Sequence, residues 1–271
     1  MFVSVIIPTY NRAATIRHSI ESVLEQTYDK LEVIVVDDGS EDESGEIIRG
    51  IADDRLRYIQ LKENGGVSKA RNYGVSLAEY ELIAFQDSDD VWRPDKLEKQ
   101  IKLFEKYPDS AMVYCAYEFH NNETVYRVPS EKYPKEILDG EIYPYLLQNN
   151  SIGAPTLLMR KTCFESIGGF DTAYPALEDW DLALKAAKAG RISFADEVLL
   201  DAYRYGEGVS SSYINHYKAR CRIIAEYMED MQKYGIFDRL IADLFADAEK
   251  NEVLEYVKNT LILALAEKKG V

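Results

Sequence analysis

Leu31-Glu32-Val33-Ile34-Val35-Val36-Asp37-Asp38-Gly39-Ser40 is a nearly unbroken apolar run that stops on two carboxylates, a glycine and a serine. A short run of this kind reads as a strand covered on both faces, as the strands of parallel sheets are. Upstream, residues 3–7 form a second such run. Between the two, residues 13–25 repeat Ile16, Ile20, Val23 and Leu24 at helical spacing. Downstream the order continues as a helix at 44–52, a strand at 56–61, a Gly-Gly turn, a helix at 67–78 and a strand at 81–85. A helix at 95–106 follows, with Leu97, Ile101 and Phe104 on one face. Strand–helix–strand order predicts an α/β fold with a mostly parallel sheet and helices on both faces.

After Ser110 the pattern changes. Residues 112–119 and 124–128 read as longer strands joined around Asn121 and Asn122. A helix at 141–148, a strand at 156–160, and a helix at 161–167 closed by Gly168-Gly169 come next, as a left-handed cap requires. A further helix at 178–189 ends at Gly190. From about Ser210 the chain reads as helical. Ile223, Ile224, Tyr227, Met228 and Met231 form one stripe, and Val253, Leu254, Val257, Leu261 and Leu265 another. Such stripes pack on the body of the protein or form a homodimer seam. The expected organisation is a catalytic domain over 1–208 and a C-terminal helical extension over 209–271.

The 271 residues carry 47 acidic against 32 basic side chains, a net charge of −15. That balance excludes nucleic acid as the main partner, since phosphate backbones need a basic surface. It disfavours an anionic bilayer too, although peripheral membrane contact stays open. Cys115, Cys163 and Cys221 are odd in number, far apart and without zinc-ligand spacing, as in a reducing cytoplasm. The opening run, Met1 to Pro8, has no basic flank and is too short for a signal peptide, and nowhere do about 18 apolar residues run together.

Ligands of open parallel sheets bind beyond the carboxyl ends of the strands. Three ends here carry polar clusters: Pro8-Thr9-Tyr10-Asn11-Arg12, Asp37-Asp38-Gly39-Ser40, and Gln86-Asp87-Ser88-Asp89-Asp90. The first lacks the G-x-G-x-x-G of a dinucleotide site. Tyr10 offers a flat face to a base, or packs internally. One carboxylate of Asp37-Asp38 can accept a ring N–H, or both can cap the turn. Asp87 and Asp89, two residues apart, can face one hard cation, or form a solvated acidic loop.

Taken in order, Ser4-Val5-Ile6-Ile7-Pro8-Thr9-Tyr10-Asn11-Arg12, Val36-Asp37-Asp38-Gly39-Ser40, Asn64-Gly65-Gly66 with Ala70-Arg71-Asn72, and Asp87-Ser88-Asp89-Asp90 with Trp92 and Pro94-Asp95 resemble family 2 glycosyltransferases of the GT-A fold. Gly168-Gly169-Phe170-Asp171 and Glu178-Asp179-Trp180-Asp181-Leu182 resemble that family's acceptor-side pattern. The resemblance covers roughly residues 2–205 and implies an inverting transfer from a nucleotide-sugar, UDP-linked, to a saccharide or glycolipid acceptor in surface polysaccharide synthesis. It implies a cytoplasmic enzyme, peripheral at most at the inner face of the membrane.

Residue by residue, the resemblance implies that Pro8, Thr9 and Tyr10 frame the base with Arg12 nearby. Asp38 would bond the base, and Arg71 would reach base or phosphates, unless it is a surface ion pair. Asp87 and Ser88 would lie on the nucleotide side. Asp89, with Asp87, would hold Mn²⁺ or Mg²⁺ against the diphosphate, and Asp179 would be the catalytic base. Trp92, Trp180 and Glu178 belong to the acceptor side, with core packing the alternative for each tryptophan. The macrodipole favours an ionised Asp179, whereas Glu178 and Asp181 oppose it.

Tyr203-Arg204-Tyr205-Gly206-Glu207-Gly208 departs from the family pattern, with glycine where members carry a metal-binding histidine; Glu207 and His216 are the alternatives at hand. Two other classes stay open: a sugar nucleotidyltransferase, whose glycine-rich first loop is missing here, and a non-catalytic nucleotide-sugar binder.

Overall fold

A computed structural model describes residues 1–121, 124–203 and 213–269. Its first half alternates β1 (Val3–Thr9), α1 (Ile16–Leu24), β2 (Leu31–Asp37), α2 (Ser44–Arg49), β3 (Leu56–Gln60), α3 (Val67–Leu77) and β4 (Leu82–Phe85). The first, second and fourth strands are buried throughout, as their apolar composition requires. Successive side chains of β1 point to opposite faces: Val5 and Ile7 join one core, Ile6 the other. The first core takes Ile16, Ile20 and Val23 from α1, and the second takes Ala70 and Val75 from α3. Each buried valine or isoleucine among them contributes roughly 1.5–3 kcal/mol by leaving water.

The chain continues through β5 (Val91–Trp92), α4 (Lys96–Lys106), β6 (Ser110–Asn121), β7 (Thr124–Val128), α5 (Tyr143–Leu146), β8 (Leu158–Arg160), α6 (Lys161–Ser166), α7 (Glu178–Ala189) and β9 (Arg191–Tyr203). One sheet runs β3-β2-β1-β4-β8-β6-β9-β5, with β7 on β6. Its first four strands pair in parallel, as expected. Beyond β4 the sheet is mixed, because β8 runs antiparallel to both β4 and β6 while β9 runs parallel to β6. The 13-residue β9 was not among the expected strands. Its Asp196-Glu197 pair bulges out between Ala195 and Val198, breaking the alternation on which a sequence reading depends.

The C-terminal helices are α8 (Tyr213–Glu226), α9 (Met228–Lys233), α10 (Phe237–Lys250) and α11 (Leu254–Lys269). Ile223, Ile224, Tyr227 and Met231 of the first stripe, and Val257 and Leu261 of the second, are buried in the same core as α7. The larger part of both stripes therefore packs within the chain, the first of the two arrangements the sequence allows. Among its large apolar side chains α11 still exposes Tyr256, Ile262 and Leu263. The boundary expected near 208 and the Gly206–Glu207 departure lie outside the described residues. Among the described residues no helix is long and apolar enough to cross a membrane.

Candidate active site

Register brings the polar strand ends together. Thr9 of β1 lies opposite Asp37 of β2, and Ile6 opposite Phe85 of β4, so the loops after the three strands open on one edge. Hydrogen bonds lace them. The Asp38 N–H donates to the Thr9 carbonyl at 2.8 Å, the Asn11 N–H to Ser40 Oγ at 2.9 Å, and the Arg12 N–H to Ser44 Oγ at 2.8 Å. Asn11 takes a left-handed φ of 51°, which its short polar side chain tolerates while accepting the Glu41 N–H. Pro8 and Thr9 are buried under this lacing, whereas the Tyr10 side chain is 42% exposed, so the flat face for a base is available.

The two adjacent aspartates divide their work. Asp37 caps its own turn, accepting from the Ser40 N–H and the Tyr58 hydroxyl. Asp38 accepts from the N–H groups of Gly65 and Gly66, at 2.9 and 2.7 Å, and so fixes the turn that starts α3. Gly66 has a φ of 92°, open to glycine and strained for other residues. A carboxylate has about four acceptor sites, so Asp38 retains capacity for a ring N–H beside these two bonds. Thr9 Oγ1 is buried with no hydrogen-bond partner among the described residues.

That turn sends Arg71 into the protein interior, only 4% exposed. Its Nη2 donates to Asp87 Oδ1 at 2.7 Å and its Nη1 to Glu178 Oε1 at 2.6 Å. The guanidinium lies 5.1 Å from the Phe170 ring centroid. Burial draws its pKa down, but Asp87 and Glu178 hold it above the ordinary arginine value. Phe170 is itself pinned from α3, where Asn72 accepts its N–H and donates to its carbonyl. The surface ion pair considered for Arg71 is thus replaced by a buried bridge. Glu178, expected on the acceptor side, is one abutment of that bridge.

In the acidic loop, Ser88 and Asp90 are buried while Asp87 and Asp89 reach solvent in part. The Ser19 hydroxyl donates to the Asp87 carbonyl and Gln86 to the Asp90 carbonyl, which hold the loop's shape. Arg12 Nε stands 3.6 Å from Asp89 Oδ2. Burial, then the Asp87 charge, pushes the Asp89 carboxyl up to about 6 against the pull of Arg12. Burial likewise raises Asp90, whose Oδ1 accepts the Tyr203 N–H. Two arginines leave this run of three carboxylates short of positive charge, and its donors are all hard oxygens. Mn²⁺ or Mg²⁺ fits that set.

Trp92 is 2% exposed and covers the buried Lys96 ammonium at 3.9 Å. It belongs to the core under α4 and offers no wall to an acceptor, a correction explained by its place on the inward face of β5. Trp180 is half-buried, anchored by its Nε1 donating to the Leu146 carbonyl. Beside it, Asp179 is half-buried and accepts the Trp180 N–H on Oδ1 at 2.8 Å. Burial first, and Glu178 second, push the Asp179 carboxyl up to about 7, so the macrodipole loses the contest. Asp181 takes no part in it, being turned to Lys185 and Tyr227.

Several contributors carried no legible signal. Asn72 and Phe170 stood inside quoted motifs, but nothing in their spacing tells that they support Arg71. Tyr117 of β6 lies close enough to Asp179 and Asp90 for their charges to raise its hydroxyl further above its ordinary value, beyond the larger effect of burial. Glu118, His120 and Asp201 bring ligand atoms within 4.8 Å of one another, yet Arg93 already bonds both carboxylates and supplies the cation there. His216 faces Arg220 and Asp247 on the helical layer.

The Glycosyl transferase family 2 model matches residues 4–167. An uncharacterized glycosyltransferase of Rickettsia typhi is 32% identical over 98% of this chain and 85% of its own length. The UDP-Glc:alpha-D-GlcNAc-diphosphoundecaprenol beta-1,3-glucosyltransferase WfgD of Escherichia coli is 33% identical over 84% of this chain and 87% of its own. The fold resembles that of S. aureus TarS solved with UDP-GlcNAc, with a TM-score of 0.70 at 21% identity, covering 100% of this chain and 92% of that one.

Proposed function

Since this chain belongs to glycosyltransferase family 2, we propose that it moves a sugar from a UDP-sugar to a hydroxyl of a lipid-linked saccharide, with inversion and with Asp179 as base. The observation that carries this reading is the Asp87–Arg71–Glu178 bridge. It ties the donor-side strand end to the first residue of α7, one position before Asp179. A base must stand beside the donor's anomeric carbon, and a buried two-sided ion pair holds that separation rigidly.

In this mechanism Tyr10 and Thr9 line the base, Asp38 accepts its ring N–H, and Asp89 with Asp87 would hold Mn²⁺ or Mg²⁺. When bound, the ion neutralises charge on the departing diphosphate. Asp179 takes the proton of the attacking hydroxyl on its carboxylate, and its raised affinity for protons near neutrality makes that transfer favourable. The family relatives support this choice of donor and acceptor: WfgD by name uses UDP-Glc and a diphosphoundecaprenol-linked sugar. Exposed Ile262 and Leu263 on α11 suit peripheral contact with the membrane that bears such a lipid.

Transfer of labelled sugar from UDP-glucose and UDP-N-acetylglucosamine to a GlcNAc-diphospholipid, with Mn²⁺, tests the reading. We expect product from the parent and about 10²–10⁴-fold less from Asp179→Asn, with UDP affinity retained. Near-normal turnover in that variant removes Asp179 as base.

A further inference from the structure

We propose that Gly153 is a specificity-determining residue of the acceptor side, keeping open an approach to the Asp179 carboxylate that a sugar ring can use. This rests on Asp179 being the base. Gly153 stands ahead of the short 3₁₀ turn Ala154–Thr156, and its φ of −80° and ψ of 152° are ordinary extended values. Any residue adopts them, so the backbone does not call for glycine. Packing does not call for it either. A Cβ built there would meet only Pro155 Cδ at 3.7 Å and Asp179 Oδ2 at 3.8 Å, both ordinary van der Waals contacts. Gly169 offers the contrast: its φ is 64° and a Cβ would stand 2.8 Å from the Phe164 ring, so there the fold itself demands glycine.

What the absent side chain leaves free is therefore space beside Asp179. Oδ1 of that carboxylate is taken by the Trp180 N–H, and Oδ2 is the oxygen that faces Gly153. Both residues are partly open to solvent. An attacking hydroxyl must come within about 2.6–3.2 Å of the base. A Cβ already 3.8 Å from Oδ2 borders that position, and a branched side chain would fill it. Water is small enough to pass such an obstruction. A secondary hydroxyl on a pyranose ring brings its neighbouring ring carbons with it and is not.

The class of acceptor assigned to this opening is a ring hydroxyl of a saccharide. The alternative of a slender primary alcohol would not need the space.

The test compares two rates in one preparation: hydrolysis of UDP-glucose by water, and transfer from UDP-glucose to a GlcNAc-diphospholipid. We expect the ratio of transfer to hydrolysis to fall about tenfold in Gly153→Ala and about a hundredfold in Gly153→Val, the scale of a displacement near 1 Å at a reacting centre. Thermal midpoint and UDP affinity, read alongside, stay at parental values in Gly153→Ala, because the fold tolerates the added carbon. Asp179→Asn is run in parallel and lowers both rates together. A parental ratio in Gly153→Val, with Asp179→Asn inactive, overturns the role of Gly153 alone. An active Asp179→Asn overturns the assignment of the base beneath it.

Discussion

Arg71 Nη1 donates to Glu178 Oε1 at 2.6 Å, across 107 positions of the chain, with both side chains withdrawn from water. The pair joins a helix that begins at the nucleotide-side glycine turn to the helix that carries Asp179. Removing one member strands the other as a buried, uncompensated charge, which costs about 3–5 kcal/mol. Arg71→Met is expected to lose about that much in urea unfolding, and with it the alignment of Asp87. An unfolding midpoint within error of the parent would mean that Glu178 finds another cation.

Glu178→Gln is a gentler change with a different readout. The amide oxygen can still accept from Arg71, while the second-largest cause of the raised Asp179 pKa disappears. The ionised form of Asp179 becomes easier to reach, so the alkaline-rising limb of kcat/KM should move to lower pH than in the parent. A limb that stays in place, or moves up, contradicts the like-charge account.

For the parent, a base acts only when deprotonated. Asp179, pushed up to about 7, is mostly protonated at pH 6 and mostly ionised at pH 8. We expect kcat/KM at saturating Mn²⁺ to rise about tenfold per pH unit below 7 and to level off above it. A profile flat from pH 5.5 to 8 would exclude Asp179 as the titrating base.

How far the sequence was legible follows from the kind of signal each part sends. β1, β2 and β4 were readable because strands buried on both faces must be apolar throughout, and their polar ends announce the ligand edge. β9 was not: its bulged Asp196 and Glu197 interrupt the apolar pattern, and pairing with β6 is a long-range fact. Asp37 and Asp38 looked alike in sequence, yet one caps its own turn and the other anchors a turn 27 residues away. Trp92 and Trp180 were equally ambiguous, and only their strand or helix face separates the core residue from the half-exposed one. Gly153 carried no signal, since its meaning lies in what a side chain there would obstruct.

Asp89 makes a prediction about metal. Its carboxyl is raised by burial and then by the Asp87 charge, which Arg12, at 3.6 Å, does not balance. A divalent cation relieves that charge and is in turn held by it. UDP binding measured by calorimetry should strengthen on adding Mn²⁺ in the parent, and should be indifferent to Mn²⁺ in Asp89→Asn. Chelation of the parent should reproduce the variant's affinity. Equal UDP affinity with and without Mn²⁺ in the parent would remove the metal from this site.

The group proposed as base should also cost stability. An Asp179 whose folded pKa is raised binds protons more tightly folded than unfolded, so stability falls as pH rises between the ordinary aspartate value near 4 and about 7. Above that window the full penalty is present, and below it there is none. Asn cannot ionise and is close in shape, so Asp179→Asn should be more stable than the parent at pH 8 and indistinguishable from it near pH 4. For a partly exposed carboxylate the penalty is roughly 1–2 kcal/mol, a rise in thermal midpoint of about 2–6 °C for a chain of this size. Scanning calorimetry of both proteins at pH 4, 6 and 8 gives the three points. A variant less stable than the parent at pH 8 would show that the ionised Asp179 is held by favourable contacts rather than tolerated against burial, and the pH-rate limb expected near 7 would then have to come from another group.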